Sequence, residues 1–451
     1  MSGRIRIDLP EQVRYIINVL ADQGFEAYAV GGCVRDSILG RRPQDWDITT
    51  SAKPGQVKAL FSHTIDTGIL HGTVTVMLEH VGYEVTTYRI DGEYEDARHP
   101  KEVHFTSELL EDLKRRDFTI NAMAYSEQIG LVDAFDGMGD LKRGIVRCVG
   151  AAEERFSEDA LRMLRAVRFA AQLGFEVEEE TRLAMVRLSG NLAKISAERI
   201  QVELVKLLVS DHPKLLHLAY ETGLTGVFLP EFDRMMETPQ NNPHHCYSVG
   251  VHTLEAMAHV PADRVLRLTM MLHDVAKPSH RTTDEAGLDH FYGHQTAGRD
   301  QAREILKRLK FDNDTTERVC GLIAWHDDNP ELSERNVRRA ISRIGMEQFP
   351  DLFAVKRADI RAQSEYCRTE KLAYVDAYEA LYDQVLARRE CLAVRDLAVD
   401  GRDLIEAGMK PGKEIGDMLK RLLDAVLENP DLNRRERLLA LAESFLRDSK
   451  S

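Results

Sequence analysis

Residues 28–52 read YAVGGCVRDSILGRRPQDWDITTSA, and this stretch decides the fold of the N-terminal part of the chain. The apolar run before Gly31-Gly32 predicts a short buried strand, and VRDSILG predicts a helix that ends at Gly40. The loop RRPQ then leads into DWDITTS, which predicts a second strand. A strand, a helix and a further strand in such quick succession indicate an α/β head domain.

Two features of this stretch point to a bound phosphate and a metal ion. The backbone amides of Gly31 and Gly32 can approach an anion closely, because neither residue has a Cβ. Asp45 and Asp47 are two residues apart, so on a strand both carboxylates face the same side. Their mutual repulsion favours a cation between them, and carboxylate oxygens suit Mg²⁺. A surface turn is the other structure in which this spacing occurs.

The segment GTVTVMLEHVGYEVTTYRI, residues 72–90, alternates apolar and polar side chains around a predicted turn near Gly82. This pattern predicts a β-hairpin. Glu84 lies in its second strand, where it is either a third catalytic carboxylate beside Asp45 and Asp47 or an exposed strand glutamate. Two-metal phosphoryl transfer uses carboxylates of this kind.

Beyond residue 150 the strand signal largely disappears, and apolar residues recur at every third or fourth position. The fold class predicted for the whole chain is therefore α+β, with an α/β head followed by an all-α remainder. The predicted domains are a head at 1–145, a helical neck at 146–235, a helical metal-binding domain at 236–370 and a helical tail at 371–451.

The composition is that of a globular protein, with 43% hydrophobic and 30% charged residues, and it lacks both a membrane-length apolar run and the apolar core of a signal peptide. Six cysteines without a CxxC pair indicate neither a disulfide framework nor a zinc ribbon, so we expect a cytoplasmic protein. The net charge of −14 is unfavourable for nucleic acid, but basic residues cluster locally. The clusters lie at 114–116, 162–168, 335–343 and 434–437.

Residues 158–169 read EDALRMLRAVRF and predict one helix with Ser157 as its N-cap. A carboxylate accepts hydrogen bonds and a guanidinium donates them, so Asp159 beside Arg162 complements the pairing edges of cytosine and adenine. Uracil and guanine present the reverse order and would leave buried polar groups unpaired, at a cost of roughly 1–3 kcal/mol each. The alternative is a solvent-exposed face on which these charges form salt bridges.

These motifs, together with RRDFTINAMAY (115–125), DAFDGMGDLKRGIVRCVG (133–150) and ISAERIQVELVKLL (195–208), resemble the class II CCA-adding enzymes and the bacterial poly(A) polymerases. A weaker resemblance returns at 397–416. The resemblance implies a polymerase-beta-like nucleotidyltransferase head that uses Mg²⁺, CTP and ATP to add C, C and A to the 3′ end of tRNA. It also implies nucleotide-binding roles for Gly32, Arg35, Arg116, Asp117, Asp159, Arg162, Arg165 and Arg168.

Two segments bear on the choice among related activities. In this family, CC-adding relatives lack a flexible loop after the hairpin, whereas this chain keeps TYRIDGEYEDARHPKEVHF at 87–105, which argues against addition of C alone. Poly(A) polymerases typically carry a basic extension, and AESFLRDSKS at the end of this chain is not rich in Lys or Arg. CCA addition is therefore favoured, and addition of A alone stays open.

Five segments between residues 245 and 365 place His or Asp in helices: HCYSVGVHTLEAM, LTMMLHDVAKPS, FYGHQTAGRDQA, LIAWHDD and VKRADIRAQ. Adjacent His and Asp with a distant His and Asp can close around a divalent transition metal. The segments resemble the HD phosphohydrolase superfamily, which implies phosphatase or cyclic phosphodiesterase activity on tRNA 3′ ends. The implied metal ligands are His252, His273, Asp274, His294, His326 and Asp359.

Two further hypotheses come from other functional classes. The chain could be chiefly a phosphohydrolase with an inactive transferase head, although the intact DWD and EDxxR motifs argue against this. It could also be a tRNA-binding scaffold that uses the basic clusters at 335–343 and 434–437 without chemistry.

Overall fold

The computed structural model of the chain describes residues 5–92 and 103–448. These residues form two compact units. The first unit runs to Asp233 and includes Arg308–Lys310, and the second comprises the chain from Arg234 to Lys307 and from Phe311 onward. The predicted flexible loop lies in large part outside the described residues, at 93–102.

The strands are short and lie mainly in the first third of the chain. Their bounds are Ala27–Val30 (β1), Ile48–Thr50 (β2), Thr64–Gly68 (β3), Thr73–Leu78 (β4), Val81–Thr87 (β5), Arg89–Asp91 (β6), Val103–Phe105 (β7), Met123–Ser126 (β8), Gly130–Asp133 (β9), Ile145–Val146 (β10), Glu176–Val177 (β11), Thr282–Thr283 (β12) and Asp289–His290 (β13).

Helices make up most of the remaining chain. In the first unit they begin with Glu11–Asp22 (α1), Gly32–Ile38 (α2), Pro54–Leu60 (α3), Leu109–Lys114 (α4), Gly137–Arg143 (α5), Ala152–Glu158 (α6), Leu161–Leu173 (α7), Glu179–Leu188 (α8), Ala197–Leu208 (α9), Leu216–Glu221 (α10) and Thr225–Phe228 (α11). They continue with Pro230–Glu237 (α12), Val249–Ala258 (α13), Arg264–Leu272 (α14), Lys277–His280 (α15), His294–Arg308 (α16), Asn313–Trp325 (α17), Glu334–Ile344 (α18), Phe349–Ala362 (α19), Arg368–Ala387 (α20), Gly401–Glu406 (α21), Lys413–Glu428 (α22) and Arg435–Asp448 (α23).

The head is built on a seven-stranded sheet with the order β3-β4-β5-β2-β1-β8-β9. β2 runs parallel to β5 and antiparallel to β1, so the sheet is mixed. The strands β10 to β13 contain two residues each, and the chain beyond the head is otherwise helical where it is described. The predicted α+β class is therefore confirmed.

The predicted hairpin is present, but its turn is not at Gly82. β4 ends at Leu78 and β5 begins at Val81, so Glu79 and His80 make the turn, both with positive φ. Gly82 lies inside β5, where a Cβ would stand 2.8 Å from the Cγ2 of Thr75 on the neighbouring strand. Gly82 is therefore required for cross-strand packing and does not form the turn.

Each unit has its own apolar core. In the head, Tyr28, Val30, Tyr88, Leu113 and Ala124 form one buried cluster that joins β1 and β8 to α4. In the second unit, aromatic rings from α19 and α20 stack in the core, with Phe349 and Tyr382 centroids 4.9 Å apart. No helix in the described part of the chain is long and apolar enough to cross a membrane.

Gly137 at the start of α5 gives a test of head packing. A Cβ at this position would overlap the carbonyl oxygen of Thr119 and press on the side chain of Met123. We expect Gly137→Ala to lower the free energy of unfolding by about 1–3 kcal/mol, because this backbone contact cannot yield as a flexible side chain would. Urea denaturation followed by circular dichroism measures the change.

The matched control is Gly55→Ala in α3, where a Cβ on the glycine would have no neighbouring atom within 4 Å. This helical substitution should leave stability unchanged or slightly raised, since alanine has the higher helix propensity. Equal destabilisation by both variants would contradict the packing explanation.

Candidate nucleotide and metal sites

Three carboxylates predicted to be catalytic approach one another at an end of β2. The strand does not begin at Asp45, as predicted, but at Ile48, so Asp45 and Asp47 lie in the preceding loop. Ile48 is in register with Val85, which places Asp47 beside Glu84 of β5. Asp47 and Glu84 line a common open cavity of about 180 Å³, whereas Asp45 lies outside its lining.

The electrostatics of this group favour a cation. The pKa of Asp47 is raised by burial and by the charge of Asp45, while the charge of Arg116 acts in the opposite direction. The pKa of Glu84 is raised by partial burial and then by Asp47 and Asp45. Carboxylates that repel one another in this way are stabilised by a bound cation, and oxygen ligands suit Mg²⁺. The donor set therefore fits Mg²⁺.

Gly31 allows an arginine to lie against the backbone above this cavity. The residue has φ +81°, and a Cβ on it would stand 3.0 Å from Nη1 of Arg116. Arg116 also contacts buried Asp112 at 3.4 Å, and Arg115 pairs with the other oxygen of Asp112 at 2.7 Å. Arg115 is thus held by α4, and Arg116 lines the cavity with Asp47.

Asp117 orients an arginine of α7. Its Oδ2 accepts hydrogen bonds from Nε and Nη2 of Arg165 at 2.9 and 2.6 Å. Its Oδ1 accepts from the side-chain amide of Asn121, whose own oxygen accepts from Arg35 at 2.6 Å. Burial alone would raise the pKa of Asp117, but Arg165 and Asn121 lower it well below its ordinary value.

The predicted continuous helix over 158–169 is wrong. α6 ends at Glu158 and α7 begins at Leu161, and Asp159 between them has extended backbone angles, φ −141° and ψ 103°. Ser157 is not an N-cap, since its hydroxyl donates to the carbonyl of Glu153 within α6. Oδ1 of Asp159 instead accepts from the N–H of Leu161 at 3.0 Å.

Asp159 and Arg162 both have protein partners. Asp159 pairs with Arg199 of α9, with 2.7 Å between Oδ2 and Nη2. Arg162 pairs with Glu158 and donates to the carbonyl oxygen of Arg115 at 3.1 Å. The salt bridge between Arg162 and Glu158 matches part of the alternative interpretation, but both side chains are less than a quarter exposed. The group is not a solvent-exposed face.

The remaining predicted arginines gather around one aromatic ring. The guanidinium carbons of Arg35, Arg165 and Arg168 lie 5.1, 5.4 and 3.6 Å from the ring centre of Phe169. Arg168 donates to buried Glu203 of α9 at 2.7 Å. Gly32, which begins α2, would place a Cβ 3.7 Å from Arg35. The ring and the carboxylate together hold these cations in fixed positions.

In the second unit, all six predicted metal ligands converge. Oδ1 of Asp274 lies 3.5 Å from Nε2 of His294 and 3.7 Å from Nε2 of His326. Its Oδ2 lies 3.2 Å from Nε2 of His273 and 3.7 Å from Nε2 of His252. Two groups of possible ligands, each suited to one ion, therefore share Asp274.

The histidines are held so that their Nε2 atoms face the centre. In each ring Nδ1 bonds to a backbone carbonyl, and the acceptors are Ala362 for His252, Met270 for His273, Phe291 for His294 and Ile323 for His326. A neutral histidine whose Nδ1 donates a proton has an unprotonated Nε2 that can bind a metal.

Charge and unmet hydrogen bonding also favour a cation in this cluster. Burial lowers the pKa of His294 to about 4, so the ring is neutral at pH 7. Burial opposes ionisation of Asp274, yet His273 and Lys277 lower its pKa well below the ordinary value. Within the described chain both oxygens of Asp274 and Nε2 of His294 lack a hydrogen-bond partner. Asp359 completes the set, with Oδ1 2.8 Å from Nε2 of His252.

Several residues at these sites were missed in the sequence. Asp112 pairs with Arg115 and Arg116 of the head, and their spacing of three and four residues could have identified it. Glu203 and Arg199 of α9 hold Arg168 and Asp159, which are distant from them in sequence. Lys277, whose Nζ lies 2.8 Å from Asp274, could have been identified because it belongs to the HDVAKP segment. Tyr292 lines the cavity of about 270 Å³ on which the histidine cluster opens.

The two C-terminal basic clusters are partly neutralised within the protein. Arg335 and Arg339 both contact Glu428, and buried Arg338 contacts Glu390 at 3.1 Å. In the second cluster, Arg435 pairs with Asp403 at 2.8 Å. These arginines have structural partners, which weakens the hypothesis of a scaffold that depends on them.

Comparison with known families divides the chain into three matched regions. Residues 27–147 match the family described as "Poly A polymerase head domain", and residues 174–236 match "Probable RNA and SrmB- binding site of polymerase A". Residues 288–442 match a "tRNA nucleotidyltransferase domain 2". Family models of nucleotide-polymerising enzymes therefore match most of the chain.

Two relatives that align with nearly the whole chain are CCA-adding enzymes. The chain is 37% identical to a CCA-adding enzyme of Lactiplantibacillus plantarum over 97% of this chain and 96% of the relative. It is 38% identical to a CCA-adding enzyme of Limosilactobacillus fermentum, with 97% of each covered. The crystal structure of a Bacillus stearothermophilus CCA-adding enzyme in complex with CTP matches with a TM-score of 0.73 and 30% identity, over 98% of this chain and 99% of that one.

The pair between Asp117 and Arg165 gives a test of the arginine network. We expect Asp117→Asn to lower the free energy of unfolding by about 1–3 kcal/mol at pH 7, because it removes the nearer of the two carboxylates that face the partly buried guanidinium of Arg165. The pKa of Asp117 is lowered in the folded protein, so its stabilisation is present above the ordinary pKa of about 3.9 and is lost as the pH falls below it. Unfolding measured from pH 7 to pH 3 should show the two proteins converging.

A suitable control is Glu179→Gln, which removes an exposed carboxylate paired with Arg182. This change should leave the free energy of unfolding nearly unchanged, since exposed pairs contribute little. If the free energies of unfolding of Asp117→Asn and the parent differ by the same amount at every pH, the ionic role of Asp117 is contradicted.

Proposed function

The chain belongs to the family of CCA-adding enzymes, and on this basis we propose that it adds C, C and A to the 3′ end of tRNA from CTP and ATP without a nucleic-acid template. The observation that carries this function is the similarity to CCA-adding enzymes along nearly the whole chain. Poly(A) polymerase family models match residues 27–147 and 174–236, whereas the CCA-adding enzyme of Lactiplantibacillus plantarum matches 97% of the chain. We place the enzyme in the cytoplasm, where tRNA is matured.

Asp45, Asp47 and Glu84 are the residues that would hold Mg²⁺ in the head. When bound, Mg²⁺ would lower the pKa of the terminal tRNA hydroxyl and stabilise negative charge on the triphosphate. The chain's own contribution is to place the α-phosphate in line with this hydroxyl. Arg116 beside Gly31 and the backbone amide of Gly32 would orient the phosphates, because they supply donors close to the carboxylates. The N–H of Gly31 is not available for this, because it donates to the carbonyl oxygen of Met123 at 3.1 Å.

Asp159 and Arg162 would read the base. An acceptor beside a donor pairs with the edges of cytosine and adenine and opposes those of uracil and guanine. The fixed position of Asp159 between α6 and α7 supports this role, since a rigid acceptor discriminates better than a mobile one. Arg35, Arg165 and Arg168 would bind the triphosphate or ribose around Phe169.

The fourfold division of the chain belongs to this proposal. The head at 1–145 would carry catalysis, the neck at 146–235 base selection, and the tail at 371–451 tRNA binding. Addition of A alone remains the alternative within the family, and the segment at 93–102 on which this choice depends lies outside the described residues. Incubation with tRNA that ends before CCA, and with single labelled nucleotides, separates the two activities.

Asp47→Ala tests the catalytic carboxylates. We expect incorporation of both CTP and ATP to fall by at least about a thousandfold, because the loss of a metal ligand removes several kcal/mol of transition-state stabilisation. The assay measures initial rates on tRNA that lacks its 3′ end, with tRNA binding followed separately. Retained incorporation would refute the assignment.

Asp66→Ala is the matched control for this experiment. Asp66 is an exposed carboxylate of β3 in the same sheet, paired with Lys58 at 2.9 Å. The variant should incorporate both nucleotides at the parent rate.

A second candidate activity is favoured by the cluster around Asp274. We propose that the domain at 236–370 is a metal-dependent phosphohydrolase of the HD type, acting on phosphate or 2′,3′-cyclic phosphate at tRNA 3′ ends. Its support is the convergence of four histidine Nε2 atoms on the buried carboxylate of Asp274, with Lys277 and Asp359 beside them. A divalent transition metal such as Ni²⁺ or Mn²⁺ suits these nitrogen and oxygen ligands.

Metal binding tests this site independently of its activity. We expect up to two Ni²⁺ or Mn²⁺ ions per chain by calorimetry and elemental analysis, because the ligands form two groups. Asp274→Asn should weaken binding of both ions, since the residue belongs to both groups, and should abolish hydrolysis of a 2′,3′-cyclic nucleotide. His217→Ala, which removes a partly exposed histidine in the first unit, should change neither property. Hydrolysis unaffected by Asp274→Asn would point away from this site.

A further inference from the structure

Asp159 is held by an arginine for which neither the sequence motifs nor the proposed mechanism gives a role. Arg199 lies in the first turn of α9, and its Nη2 and Nη1 lie 2.7 and 3.4 Å from Oδ2 and Oδ1 of Asp159. The two residues are 40 positions apart, so the pair joins separate helices. Their side chains are 25% and 16% exposed, which leaves a narrow opening to solvent.

The hydrogen bonds of Asp159 leave little freedom for its carboxylate. An ionised carboxylate has two oxygens with about four acceptor positions in total. Oδ1 accepts from the N–H of Leu161 and from Nη1 of Arg199, and Oδ2 accepts from Nη2 of Arg199. One acceptor position, on Oδ2, remains for a donor from outside the protein.

α9 also holds the arginines that follow Asp159. Glu203 lies one turn after Arg199 and accepts from Nε of Arg168 at 2.7 Å, with Nη1 of Arg165 3.7 Å away. Arg199 of α9 therefore faces Asp159 ahead of α7, and Glu203 of α9 faces the arginines along α7. This charge pattern fixes the position of the selecting side chains relative to α9.

We infer that Arg199 is a positioning residue for base selection, which holds the carboxylate of Asp159 so that a single acceptor faces the amino group of the incoming nucleotide. This inference rests on the proposed base-reading role of Asp159. Without Arg199 the carboxylate rotates more freely, because torsions of this type have broad minima. A base that presents a carbonyl oxygen at this position, as uracil and guanine do, is then rejected less strongly.

Arg199→Met tests this role, since methionine keeps much of the length of the side chain and removes its donors. We expect the ratio of kcat/KM for CTP over UTP, and for ATP over GTP, to fall at least about tenfold, which corresponds to one charge-assisted hydrogen bond. The change should come mainly from a raised KM for CTP and ATP, with kcat much less affected. Arg199→Lys keeps the positive charge but lacks the bidentate guanidinium, so it should give ratios between those of the parent and Arg199→Met.

Arg182→Met is the matched control, because it removes a partly exposed arginine paired with Glu179 elsewhere in the first unit. It should leave both ratios unchanged. Thermal unfolding of all variants establishes that they are folded. An equal loss of kcat/KM for all four nucleotides in Arg199→Met would overturn the inference, because it would indicate a general structural role. A lowered KM for CTP would also overturn it, since Arg199 would then compete with the base.

Asp159→Asn distinguishes a failure of this inference from a failure of the proposed function. Adding Arg199→Met to Asp159→Asn should cause no further loss of selectivity, because the arginine acts through the carboxylate. Additive losses would overturn the inference alone. Full selectivity in Asp159→Asn would refute the base-reading role itself, and the inference would fall with it.

Discussion

The first unit depends on pairing buried arginines with buried carboxylates. A guanidinium cannot leave water without a partner that compensates its charge. Asp112, Asp117 and Glu203 supply that compensation, and each is less than a tenth exposed. Because these acids come from segments outside α7, its arginines are fixed to the head and to α9 at once. The arginine row is therefore a structural junction as well as a set of candidate nucleotide ligands.

The two candidate metal sites achieve a cation-binding environment by different means. In the head, burial and then the charge of Asp45 raise the pKa of Asp47, and burial and then the charges of both aspartates raise the pKa of Glu84. In the second unit, backbone carbonyls fix the histidine rings, and buried Asp274 lies among histidine Nε2 atoms with Lys277 beside it. The first environment suits a hard oxygen-loving ion, and the second suits a transition metal.

Local sequence patterns predicted what depends on neighbouring residues. Motifs with fixed spacing account for the succession of β1, α2 and β2, the Gly31-Gly32 pair and the cluster of Asp274 with four histidines and Asp359. The role of Glu203 could not be predicted, because its pairing with Arg168 depends on the packing of α7 against α9 and not on the sequence around it. Asp112 was missed although its partners, Arg115 and Arg116, are only three and four residues away. The turn at Glu79 and His80 was missed for another reason. Glycine has the stronger turn propensity, but Gly82 was needed for contact with Thr75.

The break before α7 shows how one of these failures bears on function. In the predicted continuous helix, with Ser157 as its N-cap, Asp159 would lie in the first turn with helical backbone angles. Extended backbone at Asp159 instead places it ahead of α7, where the N–H of Leu161 is available and the helix dipole favours negative charge. Arg199 then donates to the same carboxylate from a second direction. A carboxylate held from two directions suits the proposed discrimination between amino and keto groups, so this proposed role depends on the interruption of the helix.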